Sequence, residues 1–257
     1  MPFTPTHVLA VLPFAFALRW MPISALAIGA MVPDAPMFFP GLKYAQTHSI
    51  VGVFNACLPL GVAAFLLFQW VLKEPLAALL PVWVQQRTTS VSKPFLVPTV
   101  SFLMGVTLAV LIGSFSHLLW DSFSHQGRWG TQLVPDLNHL ISIGPWALPG
   151  YKVIQYGSTI VGLPLLVLIT GATLAMTEPS DESLFPNVDW RLKRLAFAIC
   201  LIVPLLIAMY AWMAKDTIYE VLGTTIKKSG AIFLAGMLIY SLLFQAFVSR
   251  KRYIDFG

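Results

Sequence analysis

The stretch Gly113-Ser-Phe-Ser-His-Leu-Leu-Trp-Asp-Ser-Phe-Ser-His125 closes an apolar run that begins at Thr99. Its ionisable residues fall as H-x-x-x-D-x-x-x-H, and residues four apart share one face of a helix. His117, Asp121 and His125 therefore form one polar stripe on an otherwise hydrophobic helix. In or beside a lipid bilayer such a stripe is expensive, and it marks a functional site by default.

Composition supplies the bilayer. Of 257 residues, 57% are hydrophobic and 11% charged, and the mean hydropathy is +0.77. A soluble domain carries about 25% charged residues, so the chain reads as an integral membrane protein. The net charge of +5 does not point to nucleic acid, because the basic residues lie between apolar runs, where membrane proteins keep them. Cys57 and Cys200 both fall inside expected spans and offer no disulfide or thiolate framework. The first basic residue is Arg19, so the N-terminus lacks the charged start of a signal peptide and targeting is expected from the spans.

Working outward from the stripe, residues 50–72, 99–120, 154–176, 195–214 and 229–248 are each close to the roughly 20 apolar residues that cross a bilayer. Residues 8–18 and 23–32 are apolar but too short to cross alone, and Arg19-Trp20-Met21-Pro22 separates them. They form either one tilted span, with Arg19 paired or snorkelling, or a hairpin of two short helices. Lys73-Glu74-Pro75 is expected to end the first long span. A loop over 73–98 with Pro75, Pro81, Pro94 and Pro98 follows, holding at most a short interfacial helix at 76–84. Residues 121–153 are polar, rich in Gly and Pro, and too long for a plain connector. The expected fold is all-α: a polytopic membrane bundle of about five full spans plus the N-terminal helical hairpin. It forms a single domain over 1–257, with the site in 1–153 and three further spans in 154–257.

Arg250-Lys251-Arg252 beside the last span place the C-terminus in the cytoplasm. Counting back, Lys73, Arg87, Lys93, Arg191, Lys193 and Arg194 lie inside, whereas Lys215, Lys227 and Lys228 lie outside against the rule. The expected location is the bacterial inner membrane, with loop 121–153 facing outward.

That topology gathers the histidines. His48 precedes a span that starts outside, His117 closes one that ends outside, and His125 and His139 follow it. His7 and Asp34 reach the same side only if the N-terminal segment turns back, which favours the hairpin. Imidazoles and carboxylates at this density suit a divalent ion, zinc first, with manganese or iron as alternatives. The candidate ligands are His7, Asp34, His48, His117, Asp121, His125 and His139. Such an ion acidifies the water it binds, and a pair of ions clamps the attacking and leaving oxygens of a phosphoester. Gln155 and Ser158, at the start of the next span, are candidate polar residues of the pocket.

A plainer reading competes at each position. His117 with Asp121 is equally a hydrogen-bonded pair that packs two helices. His7, His125 and His139 read as polar residues of a helix start and a loop, and Thr47-His48-Ser49 reads as a helix cap built on hydroxyls. Neither the G-x-S-x-G elbow nor a phosphate loop or dinucleotide fingerprint is present.

Several motifs occur together: Met1-Pro2-Phe3-Thr4-Pro5-Thr6-His7, Val32-Pro33-Asp34, Thr47-His48-Ser49-Ile50-Val51-Gly52, Ser116 to His125, and Gln155-Tyr156-Gly157-Ser158-Thr159. In this order they resemble the bacterial membrane-protein family called domain of unknown function 4184, over nearly the whole chain. Over residues 7–139 the ligand order also resembles the inner-membrane proteins described as predicted metal-dependent hydrolases. It is similar, too, to the soluble zinc-dependent phospholipase C and single-strand nuclease superfamily. That resemblance implies a first site of Asp34, His48, His117 and Asp121. It implies a second with His125 and His139, and a third or bridging place for His7. Two departures, Met1 in place of a free N-terminal amine ligand and Ile143 where that superfamily has a Glu, imply one or two ions rather than three.

The function expected first is a membrane-embedded, metal-dependent hydrolase of a lipid-linked phosphoester. Its site residues would be Asp34, His125 and His139, with Arg128 or Lys152 among the cations that could hold a phosphate. From a different class, the alternative is a non-enzymatic membrane protein: a structural metal site, a scaffold or a transporter. Membrane lipid is the expected partner and nucleic acid is not.

Overall fold

The computed structural model describes residues 3–18, 20–92, 99–180 and 188–254, with side-chain surroundings omitted at 89–92, 146 and 248–254. Arg19, Lys93, Pro94 and Pro98, which entered the expectations above, lie outside the described residues. In chain order the elements are two short apolar helices, α1 (Thr4–Ala17) and α2 (Ile23–Met37), then α3 (Tyr44–Thr47), α4 (Ile50–Leu79) and α5 (Val82–Ser92). Next come α6 (Val100–Ser124), α7 (Trp129–Leu133), β1 (Leu140–Ile143) and β2 (Trp146–Pro149). Helices α8 (Gly150–Met176), α9 (Trp190–Ala214) and α10 (Ile218–Ile254) complete the chain. Five of these, α4, α6, α8, α9 and α10, are long and apolar enough to cross a membrane. Their surfaces carry exposed side chains such as Phe197, Leu168 and Phe247, as lipid-facing helices do. The protein is an all-α polytopic membrane protein, and the N-terminal pair is the hairpin rather than a single span.

The chain divides into two compact units. The first comprises Met1–Pro36, Pro40–Phe65 and Val97–Thr173. Its centre is the packing of α2 on α6, which rests on small residues, as helix contacts within bilayers commonly do. A Cβ added at Gly29 would lie 2.5 Å from the Val110 carbonyl oxygen, and one at Gly113 would lie 2.5 Å from the Ala30 nitrogen. At that approach Ser114 Oγ donates to the Gly29 carbonyl at 3.1 Å. Leu26, Ala30, Val106, Ala109 and Val110 are buried along the seam. Thr99 caps α6 by accepting from the Phe102 N–H, and Ser49 caps α4 by accepting from the Gly52 N–H.

Sequence expectation placed a loop from residue 121. Instead α6 continues to Ser124 without a breaker, and the His125 imidazole and the Asp121 carbonyl oxygen, 3.1 Å apart, close its last turn. Beyond α7, β1 and β2 form an antiparallel hairpin with Leu140 opposite Pro149 and Ile143 opposite Trp146, turned at Gly144 with φ +59°. The departure at Ile143 therefore falls at the tip end of this hairpin.

The second unit comprises Met37–Phe39, Leu66–Leu96 and Leu174–Gly257, and within it α9 packs on α10. Here the expected loop at 73–98 is corrected: residues 73–79 continue α4 and 82–92 form α5. Pro75 has no N–H to give to the carbonyl four residues back, which is that of Val71. The helix tolerates this because residues Phe68–Leu72 widen into an i→i+5 turn, and Gln245 Nε2 donates to the Trp70 and Val71 carbonyls at 2.8 and 3.0 Å. A partner from another helix thus replaces the bond that proline removes.

Candidate metal centre

His117 sits on the buried face of α6, one turn past Gly113. Its Nδ1 lies 2.7 Å from the Ala30 carbonyl oxygen. A carbonyl only accepts, so Nδ1 carries the proton and Nε2 presents a lone pair. Four residues on, Asp121 points to the same side, with Oδ2 3.5 Å from His117 Nε2.

His48 arrives from the link between α3 and α4. Thr47 Oγ1 donates to the Pro33 carbonyl at 2.7 Å and lies 3.0 Å from His48 Nδ1. With its one hydrogen spent on Pro33, the hydroxyl accepts from Nδ1–H, and His48 Nε2 is the free lone pair. That atom lies 3.6 Å from Asp121 Oδ2 and 3.8 Å from Asp34 Oδ1. The capping role at this position belongs to Ser49, which leaves the imidazole to face inward.

The hairpin of α1 and α2 delivers the remaining two. Asp34 follows Pro33 in the last turn of α2, where Thr4 Oγ1 donates to its Oδ2 at 2.7 Å and its Oδ1 lies 3.7 Å from His117 Nε2. His7 stacks on the His117 ring at 3.9 Å between centroids, with Nε2 3.7 Å from Asp121 Oδ1. Burial, with His117 as the next cause, holds the His7 imidazole down at about 2, so it is neutral. Burial also raises the Asp34 carboxyl, against the opposing pull of His117 and the Thr4 hydroxyl.

All five side chains are buried, yet His7 Nδ1 and Nε2, Asp34 Oδ1, His48 Nε2, His117 Nε2 and Asp121 Oδ1 lack hydrogen-bond partners. Buried polar atoms are rarely left unpaired, because each costs about 1–3 kcal/mol. Here they face one another in two overlapping groups, His7 with Asp34 and His117, and His48 with His117 and Asp121, each within 4.8 Å. Two ligands of a tetrahedral zinc ion are roughly 3.3 Å apart, so separations of 3.5 to 3.8 Å need only small movements to hold an ion. The donor set, three imidazoles and two carboxylates, fits a borderline divalent cation.

His125 is adjacent but differently engaged. Its Nδ1 lies 3.5 Å from Asp121 Oδ1 as well as near the Asp121 carbonyl oxygen. Gln155 Oε1 accepts from Lys152 Nζ at 2.7 Å, so its amide nitrogen faces His125 Nε2 at 3.1 Å and donates to it. Burial lowers the His125 imidazole to about 4. Ser158 accepts from the Trp120 indole and donates to the Ile154 carbonyl, and it reaches none of the cluster atoms among its hydrogen bonds. His139 is not brought to the cluster: its side chain is 77% exposed and lies 3.5 Å from Asp136.

Tyr44 and Thr4 are site residues that sequence reasoning missed. The Tyr44 ring stacks on His48 at 3.6 Å and its hydroxyl lies 3.5 Å from Asp121 Oδ2. A signal existed, since Tyr44 stands four residues before His48. Thr4, in contrast, lies three residues before His7 and reaches Asp34 only through the fold.

The fold and this cluster describe a multi-pass helical membrane protein with a buried His/Asp centre. The model of the family described as domain of unknown function DUF4184 matches residues 1–245, and the chain belongs to that family. No curated protein and no solved structure matches the chain.

Proposed function

We propose that this protein is a membrane-embedded, metal-dependent hydrolase of a lipid-linked phosphoester, with zinc as the ion expected first and one or two ions held. The observation that carries this reading is the convergence of unpartnered buried atoms on His7, Asp34, His48, His117 and Asp121. Each of His48 and His117 has its Nδ1–H fixed by an oxygen on the far side of the ring. Metal-ligating histidines almost always have that arrangement.

A divalent ion held by these residues would supply an acidified water and a positive charge beside the phosphate oxygens. In the overall hydrolysis the water oxygen would bond to phosphorus as the bond to the lipid-side oxygen breaks, and that oxygen would take up the water's proton. His125 would handle that proton at Nε2, on exchanging the Gln155 amide for the reacting water. It is neutral near pH 7, its side chain is 20% exposed, and Gln155 and Asp121 hold its ring in place. Asp34 and Asp121 would hold the ion or orient its water, and His139 receives no role. Helix α4, which follows His48, also borders an open groove of about 580 Å³ lined by Leu42, Gln46, Ser49, Val51, Pro59 and Leu60. Its apolar walls suit a lipid chain.

A closed structural metal site is the second reading, favoured by the near-complete burial of His7, Asp34, His48 and His117. The test is metal content of detergent-purified protein, wild type beside His117→Ala and Asp121→Ala, followed by turnover of phospholipid and polyprenyl-phosphate substrates. Stoichiometric metal lost in variants that still fold, with turnover in the wild type alone, supports the hydrolase. Metal whose loss unfolds the protein, without turnover, favours the structural site. A wild type that binds no divalent ion after reconstitution would sink both.

A further inference from the structure

We propose that Arg128 and the Tyr44 hydroxyl form an anion subsite beside the metal centre, which receives the non-bridging oxygens of a phosphate group. This rests on the metal-centre reading above and adds the chemical class of ligand. It concerns residues outside the cluster of five.

Arg128 precedes α7 and is half-buried. Its Nη1 donates to the His48 carbonyl at 3.2 Å, and its guanidinium lies 5.5 Å from the centre of the Tyr44 ring. Tyr44 in turn stacks on His48, and its hydroxyl lies 3.5 Å from Asp121 Oδ2, a long contact that its one hydrogen leaves to reach an incoming phosphate oxygen. Arg128, Tyr44, His48 and Asp121 thus form one continuous chain from the rim to the cluster. Among the described residues no carboxylate lies within ion-pair distance of Arg128, although a guanidinium presents five N–H donors in a planar fork. A half-buried guanidinium with its fork largely unspent is a receptor for a planar pair of oxygens, and phosphate and carboxylate are its usual partners.

Charge selects an anion. Ligating imidazoles are neutral, so Asp34 and Asp121 balance one divalent ion and leave no net charge. Arg128 then makes the surroundings cationic. The other cation near the site, Lys152, donates to Gln155 and lies over the rings of Tyr151 and Tyr156. Its work is to hold Gln155 against His125. Arg128 is left as the residue with donors to offer.

The test uses full-length protein in detergent loaded with Mn²⁺, whose unpaired electrons speed ³¹P relaxation of any phosphate held within a few ångströms. The probes are inorganic phosphate and dihexanoyl phosphatidic acid, each titrated against wild type, Arg128→Gln, Arg128→Lys and Tyr44→Phe. Bound Mn²⁺, counted by its EPR spectrum, reports whether each variant keeps the centre. Expected is strong relaxation in the wild type, at least tenfold weaker binding in Arg128→Gln, and a smaller loss in Tyr44→Phe and in Arg128→Lys, which keeps the charge without the fork. If Arg128→Gln loses Mn²⁺, Arg128→Lys and Tyr44→Phe decide the matter. Tighter binding of the short lipid assigns the phosphate to a lipid headgroup, and equal binding assigns it to free phosphate. Wild type that binds Mn²⁺ but leaves both probes unrelaxed overturns the subsite alone, as do Mn²⁺-loaded variants that bind as well as wild type. A wild type that binds no Mn²⁺ overturns the metal centre and the subsite with it.

Discussion

The Ala30 carbonyl oxygen lies 2.7 Å from His117 Nδ1, a hydrogen bond that crosses from α2 to α6. Two consequences follow from one contact. The imidazole is fixed as the tautomer whose Nε2 faces the two carboxylates. The oxygen that fixes it belongs to α2, which carries Asp34 in its last turn, so a candidate ligand from one helix and its orienting group from another are set by a single helix-to-helix distance. The glycines at that seam determine the distance.

Gly113→Ala is therefore expected to disable the centre without touching a ligand. The added Cβ would meet the Ala30 nitrogen and the Leu26 carbonyl oxygen at 2.5 Å, and both are backbone atoms that cannot swing away. Overpacking of this kind costs about 1–3 kcal/mol. Separation of the helices also stretches the bond from His117 to Ala30. The expected outcome is a lower melting temperature and loss of bound zinc. Gly157→Ala, where nothing lies within 4 Å of the added carbon, is expected to keep both. Zinc content beside a thermal melt checks the pair.

Thr4→Val is expected to weaken zinc binding by about 10–100-fold, the usual effect of removing a group that orients a metal ligand. Valine keeps the shape of the side chain and removes only the hydroxyl that donates to Asp34 Oδ2 at 2.7 Å. Competition with a zinc-chelating dye reads the affinity. Unchanged affinity with an intact melt would remove Asp34 from the ligand set.

His48→Ala and His139→Ala separate buried ligand from exposed histidine. The first removes a lone pair that faces both Asp34 and Asp121, and is expected to lower zinc occupancy to background. The second alters a side chain that is 77% exposed and paired with Asp136, and is expected to leave occupancy at the wild-type value.

Much of this was legible from residue spacing, for identifiable reasons. The stripe of His117 and Asp121 follows from a helical repeat of 3.6, and the return of Asp34 towards His7 is expected because only a hairpin brings both to the side of the other histidines. Spacing could not separate His139 from the others, since a loop histidine carries no periodic signal. Pro75 was read as a terminator because its rescue comes from Gln245, 170 residues away in sequence. The orienting roles of Thr4 and Ala30 were equally hidden, because a backbone carbonyl has no sequence signature. Tyr44 was visible in principle, four residues before His48, but a lone tyrosine beside a helix start reads as ordinary packing.

In the metal-free protein His7 and His125 are expected to contribute a loss of stability as pH falls below about 6.5, while the raised Asp34 carboxyl acts in the opposite sense. Burial holds His7 down at about 2 and His125 at about 4, against an ordinary value of about 6.5. Both are depressed histidines, so the unfolded chain takes up protons in this window while the folded chain does not. Stability rises with pH wherever the unfolded state binds more protons. The stabilisation is complete above about 6.5 and declines on acidification, down to about 4 for His125 and further for His7. Each group costs roughly 1.4 kcal/mol per pH unit inside its window. Melting followed by tryptophan fluorescence in detergent with chelator, at pH 7 and at pH 5, reads the histidine contribution as the difference in midpoint shift between wild type and a His7 variant. His7→Gln, which cannot titrate there, should flatten the histidine slope while His125 keeps part of it. A His7→Gln profile with the same slope as the chelated wild type would mean that protons reach His7 in the folded cluster as readily as in the unfolded chain, and that this imidazole is not held neutral by burial.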